Sequence, residues 1–200
     1  ILYSMEVFNM AIKIFIDQGH NPGGINGGAE GNGLYEQDIT YNIGIYLNDL
    51  LNKDPRFQSE VSRSSPDEIL GTNNTTSLQE RVNKAINFGA DYFISLHCNA
   101  SDNSAFNGTE IFVYRENSPA YDLATDILDS IVDEIGTKNN GVTENRTFFV
   151  LRRTPMPAML IELAFITNPQ DAKLLETRQY DFAKAIYEGI LEYFDYDDLD

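Results

Sequence analysis

Short apolar segments that end in a polar residue recur along this chain, separated by longer amphipathic segments. The first, IKIFIDQGH, covers residues 12–20 and ends at a glycine and a histidine. Similar segments cover residues 91–97 and 157–163. Strands that alternate with helices of this length indicate a largely parallel sheet. We therefore predict an α/β fold: a single three-layer sandwich in which a mostly parallel, twisted sheet of about six strands carries helices on both faces.

The element boundaries follow from apolar periodicity and from helix start and stop residues. We predict strands at residues 12–17, 57–63, 91–97, 108–114, 148–151 and 157–163. Helices are predicted to begin near residues 36, 77, 118, 168 and 180. The helix at Ser77 is predicted from a capping box that this serine forms with Glu80. Loops are expected where the sequence is polar or rich in glycine, at residues 21–33, 64–76 and 137–147.

The chain of 200 residues is long enough to bury the core of one domain. We assign residues 12–195 to that domain. Residues 1–11 are interpreted as an N-terminal remnant or extension, because they lack the basic start and long apolar core of a signal peptide. Residues 196–200 are expected to be a frayed acidic tail. No segment approaches the roughly 18 apolar residues of a membrane span.

The formal net charge of −17 limits the possible partners. Such a field repels polyanions, so we expect no nucleic-acid partner. The chain contains one cysteine, which excludes a disulfide within the chain.

The only two histidines, His20 and His97, each lie at the carboxyl end of a predicted strand. Binding sites in open α/β sheets form outside these strand ends. A single histidine in such a place is usually a structural residue. Two histidines that share the placement favour a common cleft.

Three glutamates are candidates to join the histidines. Glu162 lies in a run that otherwise reads as buried, where an ionised carboxylate is costly unless a cation or a metal accompanies it. The alternatives are a buried salt bridge, with Arg152 or Arg153 as the partner, and a strand end that is already in water. Glu36 opens a predicted helix, where an acid interacts favourably with the helix dipole. Glu30 competes with it from the glycine-rich loop, and we favour Glu36 because it is tied to an ordered helix start.

Two imidazoles and one carboxylate form the ligand set of a catalytic zinc site, with one position left for water. A second carboxylate that does not bind the metal can accept a proton from that water. Cys98 follows His97 directly, and neighbouring strand residues face opposite sides. We therefore expect Cys98 to face the core and to have no role in the site.

Five motifs, in order, resemble the zinc-dependent N-acetylmuramoyl-L-alanine amidases, the group called type 3 amidases. The resemblance covers residues 12–194, nearly the whole chain. The motifs are IDQGHNPG, GLYEQD, ADYFISLHCNA, NGTEIFVY and LRRTPMPAMLIELAFITNPQD. Each is weak alone, but five in the same order with sensible spacing are a specific signal.

The resemblance implies that residues 12–195 are an amidase catalytic domain with Zn²⁺ as its cofactor. It implies that His20, Glu36 and His97 bind the zinc and that Glu162 is the catalytic carboxylate. The expected reaction is hydrolysis of the amide bond between N-acetylmuramic acid and L-alanine in peptidoglycan. Some members of the family carry a helical insertion over the zinc. No segment of that character is visible here, so we expect an open site.

The family also implies a place of action. We expect the enzyme to act at the cell wall, either as an extracytoplasmic protein or after release by a phage lysis system. No signal peptide is visible in this chain. A separate wall-targeting domain or an activator is a possible partner. Two alternatives stay open: another zinc peptidoglycan hydrolase that cuts peptide bonds, and a non-catalytic wall-binding module.

Overall fold

A computed structural model describes residues 10–199 of the chain. It contains eight strands, β1 to β8, at Ile12–Gln18, Glu30–Gly31, Leu34–Tyr35, Phe57–Val61, Tyr92–Asn99, Thr109–Val113, Asn139–Glu144 and Ala158–Phe165. It contains six helices, α1 to α6, at Glu36–Lys53, Asn74–Phe88, Pro119–Ile135, Phe149–Arg153, Pro169–Thr177 and Gln179–Tyr193.

Six of the strands form one sheet in the order β4-β1-β5-β8-β6-β7. Strands β4, β1, β5 and β8 are parallel to one another. Strand β6 runs antiparallel to β8, and β7 runs parallel to β6. The prediction of an α/β fold with a mostly parallel sheet of about six strands is confirmed.

The alternation of side chains along β1 shows how the three layers form. Ile14 and Ile16 lie in the larger apolar core, with the buried faces of α1, α3 and α6. Phe15 points to the other side of the sheet and lies in a smaller core with residues of α2 and α4. Successive residues of a strand face opposite sides of the sheet. Because helices pack on both sides of the sheet, β1 is apolar on both faces.

Two predictions of secondary structure, for residues 137–147 and 148–151, are wrong. Residues 148–151 were expected to form a strand, but they lie in and before the short helix α4. Conversely, the expected loop at residues 137–147 contains the strand β7. A short apolar run does not distinguish helix from strand. An edge strand buries little, so β7 needs only Val142 to pack against the core and shows no apolar period.

The start of α2 also differs from its prediction. The helix begins at Asn74, and the capping box is formed by Asn73 and Thr76. Glu80 instead accepts a hydrogen bond from the backbone N–H of Gly71. Ser77 is fully buried one turn into the helix, where its hydroxyl group contacts Asn21 and Asn26.

The acidic tail was expected to fray, but its first residues are packed. The ring of Tyr196 lies 6.0 Å from that of Phe57. The guanidinium of Arg56 lies over the Tyr196 ring and donates a hydrogen bond to the carbonyl oxygen of Asp197. The proposed extension at residues 1–11 falls almost entirely outside the described residues. Within residues 10–199, no helix combines the length and the apolar character needed to cross a membrane.

Candidate metal centre and catalytic cleft

His20 lies just past the end of β1, in a backbone conformation that turns the chain sharply. Its φ of 67° is in the left-handed region, which histidine adopts more readily than most residues. Its Nδ1 atom lies 3.2 Å from the carbonyl oxygen of Asn26. A carbonyl oxygen only accepts hydrogen bonds, so Nδ1 donates to it and Nε2 is directed towards Glu36 and His97. This is how metal-binding histidines are commonly oriented by their surroundings.

Glu36 is the first residue of α1 and is 3% exposed. Its Oε2 atom accepts a hydrogen bond of 2.7 Å from the N–H of Ala29. Its Oε1 atom accepts one of 2.9 Å from the N–H of Cys98. The competing Glu30 is exposed in the small strand β2. The structure therefore brings Glu36, and not Glu30, to the histidines.

His97, near the end of β5, completes a compact group with the other two side chains. His20 Nε2 and His97 Nδ1 each lie 3.1 Å from Glu36 Oε1. The two nitrogen atoms are also 3.1 Å from each other. Two ligands at about 2.0–2.1 Å from a tetrahedral zinc ion are roughly 3.3–3.4 Å apart. The three donor atoms are thus spaced to fit one metal ion with little movement.

Two glycines allow the ligands to come this close. A Cβ atom on Gly19 would lie 2.6 Å from Cε1 of His97. A Cβ atom on Gly28 would lie 2.9 Å from Oε2 of Glu36 and 3.1 Å from Cδ2 of His20. The two contacts below 3.0 Å are shorter than those that real Cβ atoms make. The glycine-rich loop therefore wraps the ligand group, in addition to linking His20 to Glu36.

The charge of Glu36 is strongly favoured in this setting. Burial opposes ionisation, but the hydrogen bonds and the electrostatic attraction of His20 and His97 outweigh it and hold the pKa of Glu36 far below its usual range. A carboxylate that stays ionised at all relevant pH values is suited to bind a cation.

Glu162 projects from β8 into the same cleft, directly opposite His97 in the register of β5 and β8. Its Oε2 atom is buried and has no hydrogen-bond partner among residues 10–199. Burial raises the pKa of Glu162 to about 8, with smaller contributions from the charges of Glu36 and Glu110. A carboxylate in this state gains from taking up a proton.

The alternative for Glu162, a buried salt bridge with a neighbouring arginine, does not form. Arg152 and Arg153 are both exposed at the end of α4. The guanidinium of Arg153 lies over the ring of Phe149 instead. Within the described part of the chain, Glu162 has no ion-pair partner.

Glu110 is a neighbour of the site that sequence reasoning missed. It pairs with Glu162 across β6 and β8, so His97, Glu162 and Glu110 form one row across three strands. Asn99 donates a hydrogen bond to Oε1 of Glu110, while burial raises the pKa of this carboxyl group. Its position in the alternating strand 108–114, next to apolar residues that face the other side, was the available signal.

Cys98 faces away from the site, as strand alternation predicts. It is 3% exposed and belongs to the larger core on the far side of the sheet. Burial raises the pKa of its thiol well above the usual value, so the group stays neutral. Only its backbone N–H takes part in the site, through Glu36.

The cleft around these groups has a volume of about 320 Å³ and is polar on one side and apolar on the other. The apolar wall comes from α2, the segment around α4 and β8: Leu78, Phe148, Phe149, Val150 and Leu160. The side chains of His20 and His97 are 20% and 18% exposed, so the cleft opens to solvent. Helix α4 forms a wall beside the ligands, and the expectation of an accessible site agrees with this geometry.

Fold and site together define the class of protein: an α/β protein with a group of three side chains that could hold one metal ion and a carboxyl group of raised pKa beside it. Residues 14–192 match the family model described as N-acetylmuramoyl-L-alanine amidase, and the chain belongs to that family. The family and the enzyme class predicted from the sequence motifs are confirmed.

Individual relatives agree with the family match. The N-acetylmuramoyl-L-alanine amidase LytC of Bacillus subtilis (strain 168) is 38% identical over 187 residues, which cover 90% of this chain but 35% of LytC. The N-acetylmuramoyl-L-alanine amidase from Clostridium difficile 630 has a TM-score of 0.82 at 32% identity, covering 93% of this chain and 98% of that one. The CwlD amidase from Clostridioides difficile, solved in complex with the GerS lipoprotein, has a TM-score of 0.76 at 26% identity, covering 92% and 98%. The chain thus spans about a third of the length of LytC.

Proposed function

We propose that this chain is a zinc-dependent catalytic domain that hydrolyses the amide bond between N-acetylmuramic acid and L-alanine in peptidoglycan. The observation that carries the proposal is the triangle of donor atoms from His20, Glu36 and His97, with the buried carboxylate of Glu162 in the same cleft. The match to the amidase family supports the choice of bond. Action at the cell wall, and the activity of the full-length protein to which such a domain belongs, are part of the same proposal.

In this proposal, His20 Nε2, His97 Nδ1 and Glu36 Oε1 hold the ion. When bound, a zinc ion polarises the scissile carbonyl group and increases the acidity of a water molecule. The ring of His20 is oriented by the carbonyl oxygen of Asn26, and the carboxylate of Glu36 is oriented by its two backbone N–H donors. These contacts orient the ligands before any metal arrives.

Glu162 moves the proton. As general base it takes a proton from the attacking water, whose oxygen forms the new bond to the carbonyl carbon. It then gives this proton to the nitrogen of L-alanine as the carbon–nitrogen bond breaks. The product is a free carboxylic acid on the lactyl group and a free amine on the peptide. Burial raises the pKa of Glu162, and the positive charge of a bound zinc ion would favour the ionised form that can accept the proton.

A protein partner is also proposed. The CwlD amidase, similar in structure to this chain, was solved with the GerS lipoprotein. We therefore propose that a separate targeting domain or an activator works with this domain at the wall.

The test is digestion of purified sacculi with and without zinc, with identification of the new chemical termini. Release of L-alanine amino groups and of glycan strands without peptides supports the proposal. New termini inside the peptide would indicate a peptidase, and binding to sacculi without cleavage would indicate a wall-binding module.

The ligand assignment is tested with His97→Ala. Loss of one of three ligands should reduce bound zinc from one ion per chain to a small fraction, and this can be measured by atomic absorption after dialysis. Cys98→Ala is a matched control, because it changes the adjacent residue on the core side of the strand and should keep the full zinc content. A full zinc complement in His97→Ala would contradict the assignment.

A further inference from the structure

The left-handed turn at His20 is held by a buried arginine that belongs to another element. Arg81 lies in α2 and is 1% exposed. Its Nη2 atom donates to the carbonyl oxygen of His20, and its Nη1 atom donates to the carbonyl oxygen of Gln18. One guanidinium group therefore fixes the backbone on both sides of Gly19, where the chain leaves β1 and turns towards the cleft.

The same guanidinium group also binds a side chain before this turn and one after it. Nη1 forms an ion pair of 2.6 Å with Oδ1 of Asp17. Nη2 donates a hydrogen bond of 3.0 Å to Oδ1 of Asn21. These contacts to residues 17, 18, 20 and 21 restrict the backbone conformation of the turn. The carboxylate of Asp17 also balances the buried positive charge of Arg81.

The network extends to the strand that carries the second histidine. Ser95, two residues before His97 on the same face of β5, donates a hydrogen bond of 2.8 Å to Oδ2 of Asp17. Asp17 and Ser95 are directly paired in the register of β1 and β5. The ion pair thus links α2 and both histidine-bearing segments in one buried group.

This arrangement requires an arginine. Its planar fork offers five N–H donors, so two nitrogen atoms can reach several acceptors at once. A lysine carries a similar charge but only one nitrogen atom, and it cannot bridge two carbonyl oxygens and two side chains in the same geometry.

We propose that Arg81 is a positioning residue for the metal ligand His20, because it fixes the backbone turn that aims the imidazole at Glu36 and His97. This inference rests on the proposed metal site. Arg81 does not bind the ion in this scheme. It sets the ligand geometry in advance, and its loss should therefore lower metal affinity in a folded protein.

The experiment compares Arg81→Lys with Val82→Ala. Val82 is the next residue of the same helix and is 1% exposed in the smaller core, so its truncation lowers stability without touching His20. Zinc affinity is measured by competition with a chelator. The geometry of the site is measured from the visible absorption spectrum of the cobalt-substituted protein, and folding is checked by thermal unfolding of the metal-free protein.

We expect Arg81→Lys to bind zinc about 10–100-fold more weakly, the range found for residues that orient metal ligands, and to have an altered cobalt spectrum. Val82→Ala should match the wild type in both measurements despite its lower melting temperature. Wild-type zinc affinity and spectrum in folded Arg81→Lys would overturn the inference. Failure of the wild type itself to bind zinc would instead overturn the proposed function.

A milder variant covers the case in which Arg81→Lys does not fold. Ser95→Ala removes one hydrogen bond to Asp17 and leaves the arginine in place. It should weaken zinc binding by a smaller factor than Arg81→Lys, because the ion pair is loosened but kept, and shift the cobalt spectrum in the same direction. If Ser95→Ala then binds zinc with unchanged affinity and spectrum, the inference is overturned.

Discussion

Asp17 and Glu162 lie on the same face of the sheet, with only β5 between their strands, and each has a carboxylate oxygen shielded from solvent, yet their surroundings are opposite. Asp17 pairs with Arg81 and accepts a hydrogen bond from Ser95. Burial opposes its charge, but these partners outweigh burial and lower its pKa. Glu162 has no partner for Oε2 among residues 10–199, and burial raises its pKa to about 8.

This comparison separates a carboxylate that stabilises the fold from one that is available for chemistry. A fully paired buried charge is expensive to remove, because its partner is left unpaired. A carboxyl group whose buried oxygen has no partner adds no such stability, and a raised pKa in a cleft marks such a group as a candidate for chemistry. The two residues should therefore respond to the same type of substitution in opposite ways.

The largest effect is expected for Glu162→Gln. Loss of the proton acceptor should reduce hydrolysis of purified sacculi by about 10²–10⁴-fold, the usual contribution of a general base. Zinc content should stay at the wild-type level, and the melting temperature should not fall, since no ion pair is broken. Near-normal hydrolysis by this variant would show that Glu162 is not the proton acceptor.

Asp17→Asn should instead act on stability. Removing the charge leaves the guanidinium of Arg81 buried without its counter-ion, and such a change typically costs about 3–5 kcal/mol. Urea denaturation at pH 7 measures the change in the free energy of unfolding. A loss of unfolding free energy no larger than that caused by breaking the partly exposed pair of Glu68 and Lys84 would mean that Asp17 and Arg81 are not coupled as the structure indicates.

The half-exposed pair of Glu68 and Lys84 provides that reference and the smallest effect. Burial works against the charge of Glu68, but Lys84 and Ser64 lower its pKa to about 2. A lowered pKa stabilises the folded state above the ordinary value of 4.5, and this contribution is lost as the pH falls towards 2.

Glu68→Gln should therefore cost less than about 1 kcal/mol at pH 7, because the pair is partly solvated. The difference between variant and wild type should shrink as the pH falls from 4.5 to 2. Urea denaturation at a series of pH values measures both quantities. A difference that stays constant down to pH 2 would rule out the lowered pKa as its source.

The central strands could be predicted from sequence because they are covered on both faces. Residues 14–16 and 158–161 are apolar at every position, a pattern typical of a strand that is covered on both faces. The periphery could not be predicted in the same way. In β7 only Val142 packs against the core. Helix α4 has five residues, and their amino-acid types are equally compatible with a strand. Such elements are fixed by their neighbours in space.

In the candidate site, too, some residues could be predicted from the sequence and others could not. The histidines stood out because there are only two of them, and Glu162 because it interrupts an apolar run. The choice of Glu36 over Glu30 relied on the family resemblance, since a glutamate at a helix start is common. Arg81 and Glu110 were missed, because their roles depend on contacts with residues 61 and 52 positions away in the chain.

The order of the strands has a consequence for how the molecule is assembled. Strand β8 comes last in the chain, yet it lies between β5 and β6 in the middle of the sheet. Until residues 158–165 leave the ribosome, β5 and β6 each keep an open edge, and long-range pairing of this kind forms slowly. The proposed metal ligands lie between residues 20 and 97, whereas the proposed proton acceptor is on the strand that closes the sheet. A partly synthesised chain therefore has every proposed ligand but no proton acceptor, and hydrolytic activity must wait for the last strand to insert.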